Sequence, residues 1–227
     1  MNIEILHMIE GAKKAKGTTV IIDVFRAFSV EAYFFASGAI EIIPVGDVNL
    51  AYELKEKNPD FVLAGERKGK ILPGFDVGNS PSDVIKLDCL GKTVVHTTSA
   101  GTQGIANAVN ADEILGASLV NARATAEYIK NKNPENVSLV CMGLEALSQT
   151  EEDNLCALYI KSILEGTDID LQTEIENLKY TSGAKFFDKA QNDVFPEEDF
   201  YLCTQVDKFE FVIKMSENGI MKKLADK

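Results

Sequence analysis

Short, continuous apolar stretches alternate along the chain with segments of helical periodicity. Six apolar, β-branched stretches predict buried strands, at residues 18–24, 40–45, 61–64, 93–97, 113–115 and 137–141. Strands of a parallel sheet have this pattern because helices cover both faces of the sheet. The alternation therefore predicts an α/β protein of three layers, α/β/α, with a mainly parallel or mixed sheet.

Helical periodicity follows most of these strands and predicts helices over residues 28–36, 50–57, 102–109, 122–130 and 151–164. For the first of these helices, Ser29 is a candidate N-cap and Gly38 a candidate C′ residue. The last third of the chain differs from the rest. Residues 168–200 are acidic and weakly periodic, whereas residues 200–215 alternate as antiparallel strands do.

The two parts of the chain are not separated by a linker rich in Pro, Gly or Ser. The length of 227 residues also suits one large domain. We therefore expect residues 1–227 to form a single α/β domain. Residues 168–227, an acidic segment followed by strands, are expected to pack on this domain as a β-containing appendage.

The charge balance limits the classes of partner. The chain has 23 Lys and Arg residues against 35 Asp and Glu residues, a formal net charge of −12. A nucleic acid is therefore not expected as a partner, because binding its phosphates needs clustered basic residues. A local basic pocket in an acidic protein can still hold a small anion. A homo-oligomer is compatible with the sequence.

Neither a membrane segment nor a signal peptide is expected from the sequence. No stretch approaches the roughly 20 apolar residues of a membrane helix, and the first residues lack the pattern of a signal peptide. The four cysteines have neither C-x-x-C nor zinc-ligand spacing, so they are expected to be buried thiols in a reducing cytoplasm. Only two histidines are present, which excludes a histidine-rich metal site.

Charged residues follow the first predicted strand, and ligands of open α/β sheets bind at the carboxyl ends of strands. Asp23 and Arg26 lie three residues apart on one strand-to-helix turn. Asp23 can bind a hard cation through its oxygens, and Arg26 can bind a phosphate or sulfonate with two hydrogen bonds. Alternatively, the two side chains form a local ion pair that stiffens the turn.

A second acid and base, Glu66 and Arg67, follow the third predicted strand. The long loop over residues 68–80 comes next and carries Asn79, a candidate substrate-binding residue. Loops of this length in compact domains are more often functional than idle. Ser80 and Asp83, at its end, fit a capped helix start.

The fourth predicted strand leads into a turn of small and hydroxyl-bearing residues that opens a helix. Ser99, Gly101 and Thr102 lie in this turn, which offers backbone N–H groups, hydroxyls and a helix N-terminus to an anion. A simple capped helix start is the alternative. Asn121, after the fifth predicted strand, either caps the next helix or binds substrate.

Two further acids, Glu152 and Asp153, open the helix after the sixth predicted strand. They complement the helix dipole, or one of them is a metal ligand. Taken together, Asp23, Glu66 and Asp153 can bring a divalent cation close to the arginines and the anion-binding turn. Carboxylates that leave a metal several waters suit Mg²⁺ and a phosphate substrate, so the sequence predicts a phosphoryl-transfer site.

The sequence resembles the Mg²⁺-dependent 2-phosphosulfolactate phosphatases of coenzyme M biosynthesis, most strongly over residues 1–165. The matching segments, in the family's order, are IDVFRA (22–27), GER (65–67), GFDVGNSP (74–81), TTSAGT (97–102), LVNA (119–122) and EDNLCA (152–157). The resemblance implies an α/β/α fold and hydrolysis of (2R)-phospho-3-sulfolactate to sulfolactate and phosphate. The sequence departs from the family at Ala100, where Asn is more common, so we expect one side-chain contact fewer in that turn.

Two other functions are considered beside a metal-dependent phosphatase. An aspartyl-phosphate phosphatase of the haloacid dehalogenase type would use Asp23 as its nucleophile, but that class needs an acid where Phe25 stands. A non-catalytic anion-binding module would have little need for carboxylates beside its ligand. Direct attack by water, with inversion at phosphorus, is the expected mechanism, and a covalent intermediate on Asp23 is the alternative.

Overall fold

The computed structural model describes residues 1–225 of the chain. Within these residues, ten strands form one mixed sheet and nine α-helices accompany it, which confirms the predicted three-layer α/β/α architecture. The strands are β1 (Asn2–His7), β2 (Gly17–Ile22), β3 (Glu41–Pro44), β4 (Val62–Arg67), β5 (Lys70–Ile71), β6 (Thr93–Thr97), β7 (Ala111–Ala117), β8 (Asn136–Cys141), β9 (Phe211–Met215) and β10 (Met221–Ala225).

The helices follow the strands as the periodicity predicts, with three additions. They are α1 (Met8–Lys14), α2 (Ala27–Ala36), α3 (Val48–Lys57), α4 (Pro81–Val84), α5 (Gly101–Asn107), α6 (Ala122–Lys132), α7 (Glu151–Glu165), α8 (Leu171–Leu178) and α9 (Glu197–Cys203). Helices α1, α8 and α9 were not predicted. Residues 200–203, expected in a strand, lie in α9, where Phe200 is buried in an apolar cluster with Leu155, Leu178 and Phe186.

The caps of α2 differ in part from the prediction. The helix begins at Ala27, so Ser29 is not its N-cap; the Ser29 hydroxyl instead donates a hydrogen bond to the carbonyl of Val24 at 2.8 Å. Gly38 follows the helix at φ +94°, which confirms it as the C′ residue.

The sheet consists of two parallel groups of strands joined by an antiparallel pair. Its order is β1-β8-β2-β7-β9-β10-β3-β6-β4-β5. β1, β8, β2 and β7 are parallel to one another, as are β3, β6 and β4. The C-terminal strands β9 and β10 lie between the two groups, and β10 meets β3 through the single pair Met221 and Ile42. The predicted appendage therefore supplies the middle of the sheet.

Helix α2 connects the two parallel groups of strands. Nine of its ten residues are buried, so apolar residues occupy all of its sides. Phe28 packs against Gly116 in β7, where a Cβ would lie only 2.4 Å from the ring. Glu31 meets His96 of β6 at 3.0 Å. This packing places the start of α2, with Asp23 and Arg26 just before it, where strand ends from both groups converge.

Candidate active site

A pocket of about 380 Å³ lies where the loops after β2, β4, β6 and β8 meet. The wall contains several charged and polar side chains, namely Asp23, Arg26, Glu66, Lys68, Asn79, Ser99, Glu145, Glu152, Lys185 and Gln191. Predicted site residues from four separate parts of the sequence therefore lie around one cavity. The wall contains both acids and bases, as expected for a site that holds a charged ligand.

Asp23 lies at the bottom of this pocket with 5% of its surface exposed. Its Oδ1 accepts a hydrogen bond from the backbone N–H of Ala27 at 3.1 Å. Burial raises the pKa of Asp23 to about 6 despite that hydrogen bond, and repulsion from Glu152 and Glu66 adds to the rise. The surrounding protein therefore does not fully neutralise the negative charge of Asp23.

Gly101 allows the turn after β6 to approach Asp23 closely. A Cβ at this position would lie 2.7 Å from the Cβ of Ala27 and 3.0 Å from Oδ2 of Asp23. Real Cβ atoms do not approach the first of these atoms so closely, so only glycine fits here. Gly101 was predicted to bind substrate, and in the structure it makes room for Asp23.

Glu66 ties three segments together at the pocket wall. Its Oε1 accepts a hydrogen bond from the N–H of Ser99 at 2.7 Å, and its Oε2 accepts one from the N–H of Gly69 at 2.7 Å. The hydroxyl of Ser99 also donates to Oε2, at 3.3 Å. The carboxylate therefore holds both the anion-binding turn and the loop after β4 in place. It retains further lone pairs toward the pocket.

The two acids at the start of α7 have different environments. Asp153 accepts hydrogen bonds from the N–H groups of Val24 and Gly143, both at 2.8 Å, one on each oxygen. Asp153 therefore fastens the loop after β2 and does not line the pocket, although it was predicted to bind metal. Glu152 lines the pocket instead, and its Oε2 is buried without a hydrogen-bond partner. Burial raises the pKa of both carboxyls.

Residues of the C-terminal third of the chain hold the side chain of Arg26 in place. Its Nη1 donates to Oδ2 of Asp199 at 2.7 Å and to the carbonyl of Val194 at 2.9 Å, and both members of the ion pair are buried. The Phe195 ring centroid lies 4.9 Å from the guanidinium carbon. The alternative of a local ion pair between Asp23 and Arg26 is therefore wrong, because the partner of Arg26 is Asp199.

Besides Gly101, three residues predicted to bind substrate do not line the pocket. Arg67 donates to the carbonyl of Glu66 and to the hydroxyl of Thr97. Thr102 bonds with Thr98 within its own turn, and its backbone N–H donates to the Thr98 hydroxyl at 3.2 Å. The third, Asn121, accepts from the N–H of Ser118 and donates to the carbonyl of Gly116. All three side chains stabilise the loops that form the site.

Asn79 does line the pocket, and the buried side chain of His96, which Glu31 contacts in turn, sets its position. Its Oδ1 lies 3.4 Å from Nε2 of His96, and Nδ1 of the same ring lies 3.0 Å from Oε1 of Glu31. The imidazole and the glutamate are fully buried. His96 lies within β6, where its ring supports Asn79.

Residues 184–195 form a part of the wall that the sequence did not predict. Lys185, Gln191 and Phe195 in this segment line the pocket. No strand precedes the segment, so the rule that ligands bind at strand ends does not find it. The available signal was the density of aromatic residues around a lysine, in KFF (185–187) and VFP (194–196).

The residues that face the pocket suit a hard divalent cation. Within residues 1–225, no group of three or more Asp, Glu, His or Cys side chains is arranged to hold a metal ion. Mg²⁺, however, is commonly bound by only one or two carboxylates together with waters and substrate oxygens. Asp23 and Glu152 provide two such carboxylates, and the unpartnered oxygen of Glu152 is the observation that favours this fit.

Together, the fold and the pocket define an α/β protein with a charged pocket at the ends of its strands. The chain belongs to the 2-phosphosulpholactate phosphatase family, whose sequence profile matches residues 4–218. This match confirms the resemblance found in the sequence and places the chain among enzymes that hydrolyse phosphoric monoesters.

Relatives in distant organisms match nearly the whole chain, and each is named a probable 2-phosphosulfolactate phosphatase. The protein from Bacillus subtilis is 34% identical, over 88% of this chain and 87% of the relative. That from Caldanaerobacter subterraneus subsp. tengcongensis is also 34% identical, over 91% and 90%. That from Thermoplasma volcanium is 29% identical, over 95% and 98%.

None of the helices in the described part of the chain is long and apolar enough to cross a membrane.

Proposed function

We propose that the protein is a Mg²⁺-dependent phosphatase that hydrolyses (2R)-phospho-3-sulfolactate, or a similar small anionic phosphoester, to sulfolactate and phosphate. The observation that carries the proposal is the convergence of Asp23, Glu66 and Glu152 with basic side chains in one pocket of a chain of this family. Phosphoryl transfer depends mainly on positioning and charge stabilisation, which such a wall provides.

In this proposal Asp23 and Glu152 hold the cation. When bound, Mg²⁺ would polarise the phosphoryl group and offset its charge. Arg26 faces the same pocket, fixed by Asp199, and offers its remaining N–H donors to the anionic groups of the substrate. A fixed guanidinium binds phosphate or sulfonate oxygens without losing further side-chain entropy.

The reaction that these residues support is direct attack by water. Glu66, with a free lone pair on Oε1, orients a water molecule opposite the ester oxygen. A new P–O bond forms from the water, the ester P–O bond breaks, and its electron pair leaves with the ester oxygen. The proton lost by the water passes to the carboxylate of Glu66, and the leaving oxygen takes a proton from solvent water to become the hydroxyl of sulfolactate. This sequence inverts the configuration at phosphorus.

The alternative functions lack comparable support. An aspartyl-phosphate enzyme of the haloacid dehalogenase type needs an acid at position 25, and the ring of Phe25 packs there against Phe186 at 4.9 Å between centroids. For a non-catalytic anion-binding module, the four carboxylates of the pocket wall would repel the ligand. The four cysteines are buried and free, so we also propose a reducing, cytoplasmic location. From the family match we propose a role in coenzyme M biosynthesis.

The proposal is tested by measuring phosphate release from (2R)-phospho-3-sulfolactate with Mg²⁺ and with EDTA. We expect turnover that EDTA abolishes and Mg²⁺ restores, and loss of turnover in Glu152→Gln. Turnover that is unchanged in EDTA would reject the metal dependence, and absence of turnover on any small anionic phosphoester would reject the function. A chiral thiophosphate substrate in labelled water tests the mechanism, since retention of configuration would indicate a covalent intermediate.

A further inference from the structure

Lys185 lies in the segment of residues 184–195 that closes one side of the pocket, between α8 and α9. Its Nζ is surrounded by three aromatic rings. The distances from Nζ to the ring centroids are 5.2 Å for Phe195, 5.5 Å for Phe186 and 5.8 Å for Phe25. The rings themselves pack edge to face, with Phe186 4.9 Å from Phe25 and 5.8 Å from Phe195. The cage therefore fixes where the ammonium group lies.

The ammonium of Lys185 has no hydrogen bond or ion pair to another side chain or backbone group among the described residues. Aromatic faces attract a cation through their quadrupole, and they leave its N–H donors unused. Arg26, a buried base of the same pocket, is neutralised by Asp199 at 2.7 Å. Lys68 also lines the wall but is exposed. Lys185 is therefore the partly buried cation whose charge and donors remain available.

Both acidic and basic side chains of the pocket act on the ammonium of Lys185. Glu152, Asp23 and Asp153 attract the ammonium, and Arg26 repels it. Lys185 therefore shares the pocket with Asp23 and Glu152, the carboxylates proposed to hold the cation. A phosphoryl dianion placed there would be repelled by these acids unless further positive charge contacted its oxygens.

We propose that Lys185 is a catalytic residue that donates hydrogen bonds to the non-bridging phosphoryl oxygens of the substrate and of product phosphate. This inference rests on the proposed phosphatase function and deepens it by assigning the group that binds phosphate. The contact strengthens as negative charge develops on these oxygens during attack by water. The sulfonate and carboxylate of the substrate lie elsewhere in the pocket.

The test replaces Lys185 by methionine, which keeps an apolar stem in the cage and removes the charge. Lys189→Met is the matched control, because Lys189 is exposed in the same segment and does not line the pocket. We expect Lys185→Met to lower kcat/KM about 10²–10³-fold, as loss of one preorganised donor does. Inhibition by orthophosphate should weaken at least tenfold, inhibition by sulfolactate should weaken less, and Lys189→Met should match the wild type.

Two further results decide the proposal. Lys185→Arg should recover part of the activity lost in Lys185→Met. It restores the positive charge but lacks the compact ammonium group, which has three donors on one nitrogen. A folded Lys185→Met enzyme with kcat/KM and orthophosphate inhibition within threefold of the wild type would overturn the proposal. So would equal weakening of orthophosphate and sulfolactate inhibition, which would indicate a general charge effect.

An experiment on the wild-type protein avoids dependence on a variant that fails to fold. Lysine acetylation is followed by mass spectrometry with and without orthophosphate, in the presence of Mg²⁺. We expect orthophosphate to protect Lys185 and not Lys189, and equal acetylation of Lys185 in both conditions would overturn the proposal. Absence of wild-type turnover would reject the phosphatase function itself, and protection of Lys185 is measured independently of that outcome.

Discussion

At the scale of single residues, burial and charge conflict at Asp23. Its carboxyl is buried at the pocket floor, and burial, together with repulsion from Glu152 and Glu66, raises its pKa to about 6. An acid with a raised pKa in the folded state binds its proton more tightly there than in the unfolded chain. Between pH about 4 and about 6 the unfolded state binds fewer protons, so stability falls as the pH rises through this window.

Replacing Asp23 by Asn removes the loss of stability that the buried charge causes above this window. The amide oxygen can still accept the hydrogen bond from the N–H of Ala27. We expect Asp23→Asn to be more stable than the wild type at pH 7.5 in EDTA, by about 2–3 kcal/mol, and to lack turnover. The difference in unfolding free energy should vanish near pH 4. Urea unfolding at the two pH values measures it, and a variant no more stable than the wild type at pH 7.5 would contradict the prediction.

Gly101 allows a second test at the same scale. A methyl group at this position would press on Asp23 and Ala27, at 3.0 and 2.7 Å. We expect Gly101→Ala to lower kcat/KM about 100-fold, because small displacements of catalytic groups have effects of this size. Gly78→Ala is the control, since the nearest atom to its Cβ is 3.5 Å away. Equal activities of the two variants would show that Asp23 tolerates the displacement.

At the scale of elements, Glu113 joins β7 to two neighbours. It receives hydrogen bonds from Tyr128 and Lys132 of α6, both at 2.7 Å, and an ion pair from Lys214 of β9. Burial alone would raise the pKa of Glu113, but hydrogen bonds from the two lysines and Tyr128 outweigh it and lower the pKa to about 2. The carboxylate is therefore a link between the N-terminal strands and the C-terminal hairpin.

Because the pKa of Glu113 is lowered, its contribution to stability is present above the unfolded value near 4.5 and is lost as the pH falls toward 2. We expect Glu113→Gln to lower the unfolding free energy at pH 7 by about 1–3 kcal/mol. This difference should shrink between pH 4.5 and pH 2. As a control, Glu176→Gln breaks an exposed pair with Lys179 and should change stability by less than about 0.5 kcal/mol. Equal effects in both variants would argue against the buried link.

At the scale of the whole molecule, the C-terminal third is built into both the sheet and the site. Strands β9 and β10 lie between the two parallel groups, and Asp199 of α9 binds Arg26 across 173 positions of sequence. The same carboxylate accepts hydrogen bonds from the hydroxyl of Ser80 and the N–H of Ser82. That residues 1–227 form a single domain stays a prediction, which these contacts make testable.

Asp199→Ala leaves the guanidinium of Arg26 buried without its counter-ion. We expect the unfolding free energy to fall by about 3–5 kcal/mol, as for other broken buried ion pairs. Circular dichroism and aromatic fluorescence should report one coincident transition in both the wild type and the variant, because the tail and the strands share one sheet. Asp193→Ala, an exposed acid nearby, should leave stability unchanged. Two separate transitions in the wild type would indicate two domains.

The sequence by itself determined the features that depend on neighbouring residues. The strand at residues 93–97 has the bounds of β6, and the other apolar stretches overlap β2, β3, β4, β7 and β8. Gly38 ends α2 as its position suggests. Periodicity, capping and glycine placement act within a few positions of the chain, so they can be read without the fold. Because strand ends share one edge of a parallel sheet, Asp23 and Glu66 could also be assigned to one site.

Only the tertiary structure decided which partners these residues meet. Arg26 pairs with Asp199 and not with Asp23, Glu152 lines the pocket where Asp153 was expected, and Lys185 enters it from a segment without strand ends. β1 was missed because a partly polar strand at the edge of a sheet lacks a continuous apolar stretch. Contacts between distant positions depend on how β9 and β10 complete the sheet, since burial and charge compensation are properties of the packed chain and not of its local sequence.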